Sequence, residues 1–198
     1  VSQARRATRL ATWALLATGL IALGYAAYVV ADAHTYQVTE RNRFEQATTN
    51  NAAVVPASNA VTALLEGEVI GEIQIRRLGL TAVVAEGDSA TTLQHAVGHL
   101  SDTALPGELG NVVLAGHRDT FFRPLKGVHP GDAITLKTQK GDIEYLVEST
   151  AVVRPSDIQV LEPTGGHTLT LITCFPFSYI GSAPNRFIVR ARERERVR

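Results

Sequence analysis

A sandwich or barrel of short β-strands, preceded by one membrane-spanning helix, is the fold class this sequence predicts. Two observations carry that reading. From about Gly67 to Ala191 the chain breaks into short runs rich in β-branched residues, separated by Gly, Pro, Asp and Asn at turn positions. Roughly eight such strands fit, a pattern typical of sandwiches and barrels. Before them, Leu10 to Val30 is almost wholly apolar, and no charge falls between Arg9 and Asp32. About 20 such residues cross the hydrocarbon core of a bilayer as a helix.

The chain has 198 residues, 45% of them hydrophobic, which allows one domain with a real core plus appendages. Nineteen basic residues balance nineteen acidic ones, so no global charge draws it to nucleic acid. The basic residues are uneven. Arg5, Arg6 and Arg9 precede the apolar run, and Arg190, Arg192, Arg194, Arg196 and Arg198 crowd the C-terminal end. Three arginines before the run and none close behind it predict the N-terminus inside and the remainder outside. The run exceeds the apolar core of a signal peptide, and Ala31-Asp32-Ala33 is a weak cleavage site, so a retained anchor is expected. The boundaries that follow are a basic N-terminus at 1–9, an anchor at 10–31, a polar spacer at 32–66, a β-rich domain at 67–192 and a basic tail at 193–198.

Tyr36 to Gln46 is polar enough to continue a helix, and the small polar residues from Thr48 to Asn59 suggest a flexible spacer. Glu68 to Ile75 alternates, with Val69, Ile73 and Ile75 on one face. Arg76 to Gly79 is a turn, Leu80 to Ala85 returns, and Ser89 to Val97 is a short helix capped by Ser89. Further strands are expected over Asn111–His117, Ala133–Lys137, Ile143–Val153, Thr168–Cys174 and Arg186–Ala191. On the Thr168–Cys174 strand, Leu169, Leu171 and Thr173 share one face; Thr168, Thr170, Ile172 and Cys174 share the other. Pro176 stops that strand, which leaves Cys174 at its mouth.

Cys174 is the only cysteine. A lone cysteine in an apolar strand is ordinarily a small core hydrophobe. Here a histidine, His117, ends a second strand, and an arginine, Arg186, begins a third. A thiolate, not a thiol, is the nucleophile, and it needs a base or cation nearby. An attacked carbonyl needs fixed donors, which a guanidinium supplies. The order histidine, cysteine, arginine differs from the papain order, where cysteine comes first. His95 and His99 read as structural, Asp119 as a turn cap, and no His/Cys/Asp group has metal-ligand spacing. No metal or cofactor is therefore expected.

These residues carry a resemblance. Thr170-Leu171-Ile172-Thr173-Cys174, Asn111 to Thr120 around His117, and Asn185-Arg186-Phe187-Ile188-Val189 are similar to the three signature segments of the sortases. Those are membrane-anchored cysteine transpeptidases of bacteria. Leu105-Pro106-Gly107-Glu108 and Gly131-Asp132 also match family turns, and the likeness covers about Gly67 to Ala191. The single N-terminal anchor and the short link from Phe175 to Asn185 are most similar to class D sortases.

The resemblance implies an all-β, eight-stranded sortase-type barrel with short helices. It implies that Cys174 attacks the carbonyl after threonine in a Leu-Pro-x-Thr-Gly or Leu-Pro-x-Thr-Ala type signal. His117 would act as acid and base, Arg186 would hold substrate and oxyanion, and Thr173 would support the same hole. The implied partners are surface proteins with a C-terminal sorting signal, an amine acceptor such as a peptidoglycan precursor, and the membrane, with no nucleic acid. Two other readings stay open: a thiol hydrolase on the same scaffold, and a catalytically silent surface-interaction domain.

Overall fold

The computed structural model describes residues 2–51, 64–179 and 181–194. It forms two compact units, residues 1–36 and 37–198. Helix α1, Ser2–Asn51, supplies nearly all that is described of the first. It is long and apolar enough to cross a membrane, and its apolar stretch is exposed, with Leu15, Leu20, Ile21 and Leu23 all bare. That is the surface a lipid-facing segment needs.

The second unit is a closed barrel of eight strands: β1 Val69–Ile75, β2 Leu80–Glu86, β3 Val97–His99, β4 Gly110–Ala115, β5 Ala133–Thr138, β6 Gly141–Val153, β7 His167–Phe175 and β8 Asn185–Glu193. Their order around the barrel is β1-β2-β3-β4-β7-β8-β6-β5, and β1 closes onto β5. Most neighbours are antiparallel; β2–β3 and β4–β7 are parallel. The expected alternations locate the core. Ile73, Ile75, Leu114, Leu136, Leu169, Leu171 and Val189 turn inward and are essentially inaccessible, and each buried aliphatic side chain contributes about 1.5–3 kcal/mol.

Two elements differ from the sequence reading. The helix expected over Ser89–Val97 is shorter: α2 covers Ala90–His95, capped by Ser89, whose hydroxyl accepts from the Thr92 N–H at 3.2 Å. Val97 to His99 is instead β3. Gly98 explains the switch, because a Cβ there would lie 2.4 Å from the Gly87 carbonyl oxygen. Only glycine lets the chain pass that close.

The second difference is at α1, which runs through the first half of the expected spacer. From Gln37 on, α1 belongs to the barrel unit. Gln37, Arg41 and Phe44 fall on one helix face. The Gln37 side-chain amide donates to the His95 carbonyl at 2.7 Å and accepts from the Val83 N–H at 2.8 Å. Arg41 pairs with the buried Glu72, which also receives Lys137 at 3.2 Å and Gln74 at 2.7 Å. Phe44 is buried beside them. The remainder of the small polar stretch, 52–59, and the tail at 195–198 lie outside the described residues.

Candidate active site

The parallel pairing of β4 with β7 positions the chemistry. Ala115 pairs with Ile172, and the next amide, Gly116 N–H, donates to the Ile172 carbonyl at 3.1 Å. His117 and Cys174 therefore leave neighbouring strands at the same end of the barrel. Thr173 joins the two. Its hydroxyl, fully buried, donates to the Gly116 carbonyl at 2.7 Å, the residue before His117. Its proton is thus committed to the backbone that carries the histidine. Gly116 is packed against the buried Phe122 ring; a Cβ would lie 2.8 Å from Cδ2. The Phe122 N–H returns to the His117 carbonyl at 3.0 Å and closes the turn.

On the other side of β7, Cys174 is the direct register partner of Arg186 on β8. The Arg186 Nη1 donates to the carbonyls of Ala183, at 3.3 Å, and Asn185, at 3.0 Å. These bonds use one terminal nitrogen of a fork with five N–H donors. Arg118, next to His117, donates to the carbonyls of Tyr179 at 2.6 Å and Gly181 at 2.9 Å. It pins the β7–β8 connection over the histidine turn, and its guanidinium lies 5.9 Å from the Tyr179 ring centre. The sequence reading gave Arg118 no role.

His117, Thr173, Cys174 and Arg186 all line one cleft of about 430 Å³. The Cys174 thiol is free and half-buried; His117 is exposed. The cleft has an apolar floor and sides from Leu93, Leu100, Ile172, Ile188, Val160 and Leu161. The last two belong to the β6–β7 loop, residues 154–166, whose short 3-10 turn spans Ile158–Leu161. A nucleophile, an imidazole and a guanidinium around an apolar slot can attack a carbonyl in an extended peptide and stabilise the resulting oxyanion. Among the described residues, no three of His, Cys, Asp and Glu converge as metal ligands.

A sortase-domain family model matches residues 73–194. The chain belongs to the sortase family. It is 31% identical to Sortase D of Bacillus subtilis over 186 residues, which covers 88% of this chain and 93% of that protein. Sortase A of Bacillus anthracis is 30% identical over 122 residues, covering 60% of this chain and 58% of the relative. Among solved structures, a Clostridium perfringens Sortase D5 transpeptidase superposes with a TM-score of 0.65 at 27% identity, covering 82% of this chain and 98% of that one. A lid mutant of Sortase A from Corynebacterium diphtheriae gives 0.62 at 29% identity, covering 79% and 95%. This sortase is thus a cysteine transpeptidase by family, and its likeness to class D sortases is borne out, as is the eight-stranded barrel.

Proposed function

We propose that this sortase cleaves a Leu-Pro-x-Thr-Gly/Ala-type C-terminal signal and transfers the freed acyl group to a cell-surface amine. The observation that carries the proposal is the Cys174–Arg186 register pair with His117 in the same apolar cleft. The Cys174 thiolate attacks the threonine carbonyl carbon, and a C–S bond forms. The electron pair moves to the oxygen, which Arg186 stabilises with directed N–H donors. As the carbonyl reforms, the C–N bond breaks and His117 gives its proton to the leaving amine. An acceptor amine, such as that of a peptidoglycan precursor, then attacks the thioester. His117 takes its proton, and the thiolate leaves. Thr173 supports the site by fixing the backbone before His117.

The exposed apolar stretch of α1 supports a single-pass anchor. Arg5, Arg6 and Arg9 favour a cytoplasmic N-terminus and an extracytoplasmic barrel. The deciding experiment incubates the enzyme with a fluorogenic signal peptide, with and without an added amine, and analyses the products. A new amide between the threonine and the amine is expected, and none is expected from Cys174→Ala. Release of the free acid alone would make the enzyme a hydrolase; an inert thiol would leave only a surface-interaction domain.

A further inference from the structure

Four residues below the nucleophile, the same face of the barrel carries a second polar cluster. Thr170 and Arg190 are register partners on β7 and β8, as Cys174 and Arg186 are. Four residues span about 13 Å along a strand. The Thr170 hydroxyl donates to the Asn111 side-chain oxygen at 2.7 Å, and both residues are inaccessible to solvent. The amide's orientation is fixed from its other end, because the two loop carbonyls it meets can only accept and so must face its NH₂ group. The Asn111 NH₂ group then points at the β6–β7 loop. It donates to the carbonyls of Val160 at 3.0 Å and Glu162 at 3.2 Å. Arg190 donates to the same Val160 carbonyl at 3.2 Å.

We propose that Asn111, Thr170 and Arg190 form a clamp that sets the position of the β6–β7 loop, and through it the width of the slot that receives the substrate's side chains. They are positioning residues: they hold the loop segment whose Ile158, Val160 and Leu161 form one wall of the cleft. The clamp stands on β4, β7 and β8; β7 and β8 also carry Cys174 and Arg186, and β4 leads directly into the His117 turn. Recognition wall and reacting groups are thereby referenced to one frame. Val160 and Leu161 are themselves only half-buried, and Ile158 is 67% exposed. Their own packing is therefore too thin to fix the wall, and the three bonds to backbone carbonyls do so. The proposal rests on the transpeptidase reading for its substrate.

Thr170→Val keeps the side chain's shape but leaves the buried Asn111 side-chain oxygen without its donor, which loosens the clamp at its base. Holding bonds of this kind contribute about 1 kcal/mol each, which sets the expected effect at roughly five- to tenfold. KM for the signal peptide should rise by that factor, with kcat within about twofold of the parent. Amide exchange at Leu161 and Glu162 should accelerate by a similar factor. Iodoacetamide should alkylate Cys174 at the parent rate. Thr170→Ser, which restores the hydroxyl, should return KM and exchange together. If Thr170→Val fails to fold, Arg190→Ala, at a half-buried site, carries the test with the same directions. An unchanged KM with unchanged loop exchange overturns the clamp, as does a kcat that falls while KM holds. A parent enzyme that ignores the signal peptide would fail the functional reading instead, and the exchange data alone would then decide the clamp.

Discussion

Cys174 and Arg186 stand directly opposite each other on β7 and β8, so the arginine that partners the thiol-bearing residue is set by strand register rather than by a loop. Substitution at Arg186 tests what that neighbour does. A lysine keeps the charge and loses the planar fork. Directed hydrogen bonding to the oxyanion predicts that Arg186→Lys falls nearly as far as Arg186→Ala, by about 10²–10³ in kcat/KM. Cys174 alkylation should stay near the parent rate in both. Near-normal turnover in the lysine variant would reduce Arg186 to a source of potential.

Gly116→Ala should harm the histidine without touching it. The new methyl would meet the Phe122 ring, which is buried and has no room to retreat. Overpacking of this kind costs about 1–3 kcal/mol. The turn that carries His117 must give way, and a displacement of about 1 Å is enough for a 10²-fold loss in rate. Thermal unfolding and kcat, measured on one preparation, check both halves. A variant with parent stability and parent kcat would show the turn to be more yielding than its packing indicates.

The polar half of α1 sets where a stable catalytic fragment begins. A fragment starting at Gln37 keeps the amide bridge to β2, the Arg41–Glu72 pair and Phe44. One starting at Gly67 loses all three and leaves Glu72 with Lys137 and Gln74. The shorter fragment should unfold at lower urea. In the longer one, Phe44→Ala should cost about 3 kcal/mol, and Arg41→Ala less, because Glu72 keeps two partners. Equal midpoints for the two fragments would show that this part of the helix adds nothing to the barrel.

Acid should weaken the barrel through Asp132. Hydrogen bonds from Arg77 hold its carboxyl below the usual carboxylate range, and the His129 N–H at 2.8 Å adds to the effect. A carboxyl with a depressed folded-state value contributes fully above its unfolded value, near about 4. That contribution drains as the pH falls through the lower, folded value. Asp132→Asn should therefore be less stable than the parent at pH 7, with the gap closing in the acid limb. A gap that stays constant down to pH 2 would remove Asp132 from the acid response.

Much of the candidate site was legible because its residues sit at or just beyond strand ends. Cys174 before a proline, and His117 after an apolar run, are marked by the sequence itself. What was hidden depends on contacts between distant segments. Thr170 falls on the outward face of β7, yet it is buried and bonded to Asn111, which with the register partner Arg190 holds the β6–β7 loop against that face. Strand alternation cannot signal such a cover. The docking of α1 was hidden for a different reason: the helix reaches the barrel through Gln37 and Arg41, and polar residues on a helix face ordinarily mean solvent. β3 was lost because three residues beside a helix carry too little pattern to separate them from it.

Closure of the barrel through β1 and β5 has a consequence for life among other extended chains. An open sheet offers a row of unpaired amides and carbonyls along its rim, to which any unfolded segment can add itself as a further strand. Here Ile73 faces Leu136 and the rim is gone. Among the described residues, each of the eight strands has a paired neighbour on both sides. On the proposed reading, in which the substrates are extended peptide signals, closure spares the enzyme strand addition along the paired wall.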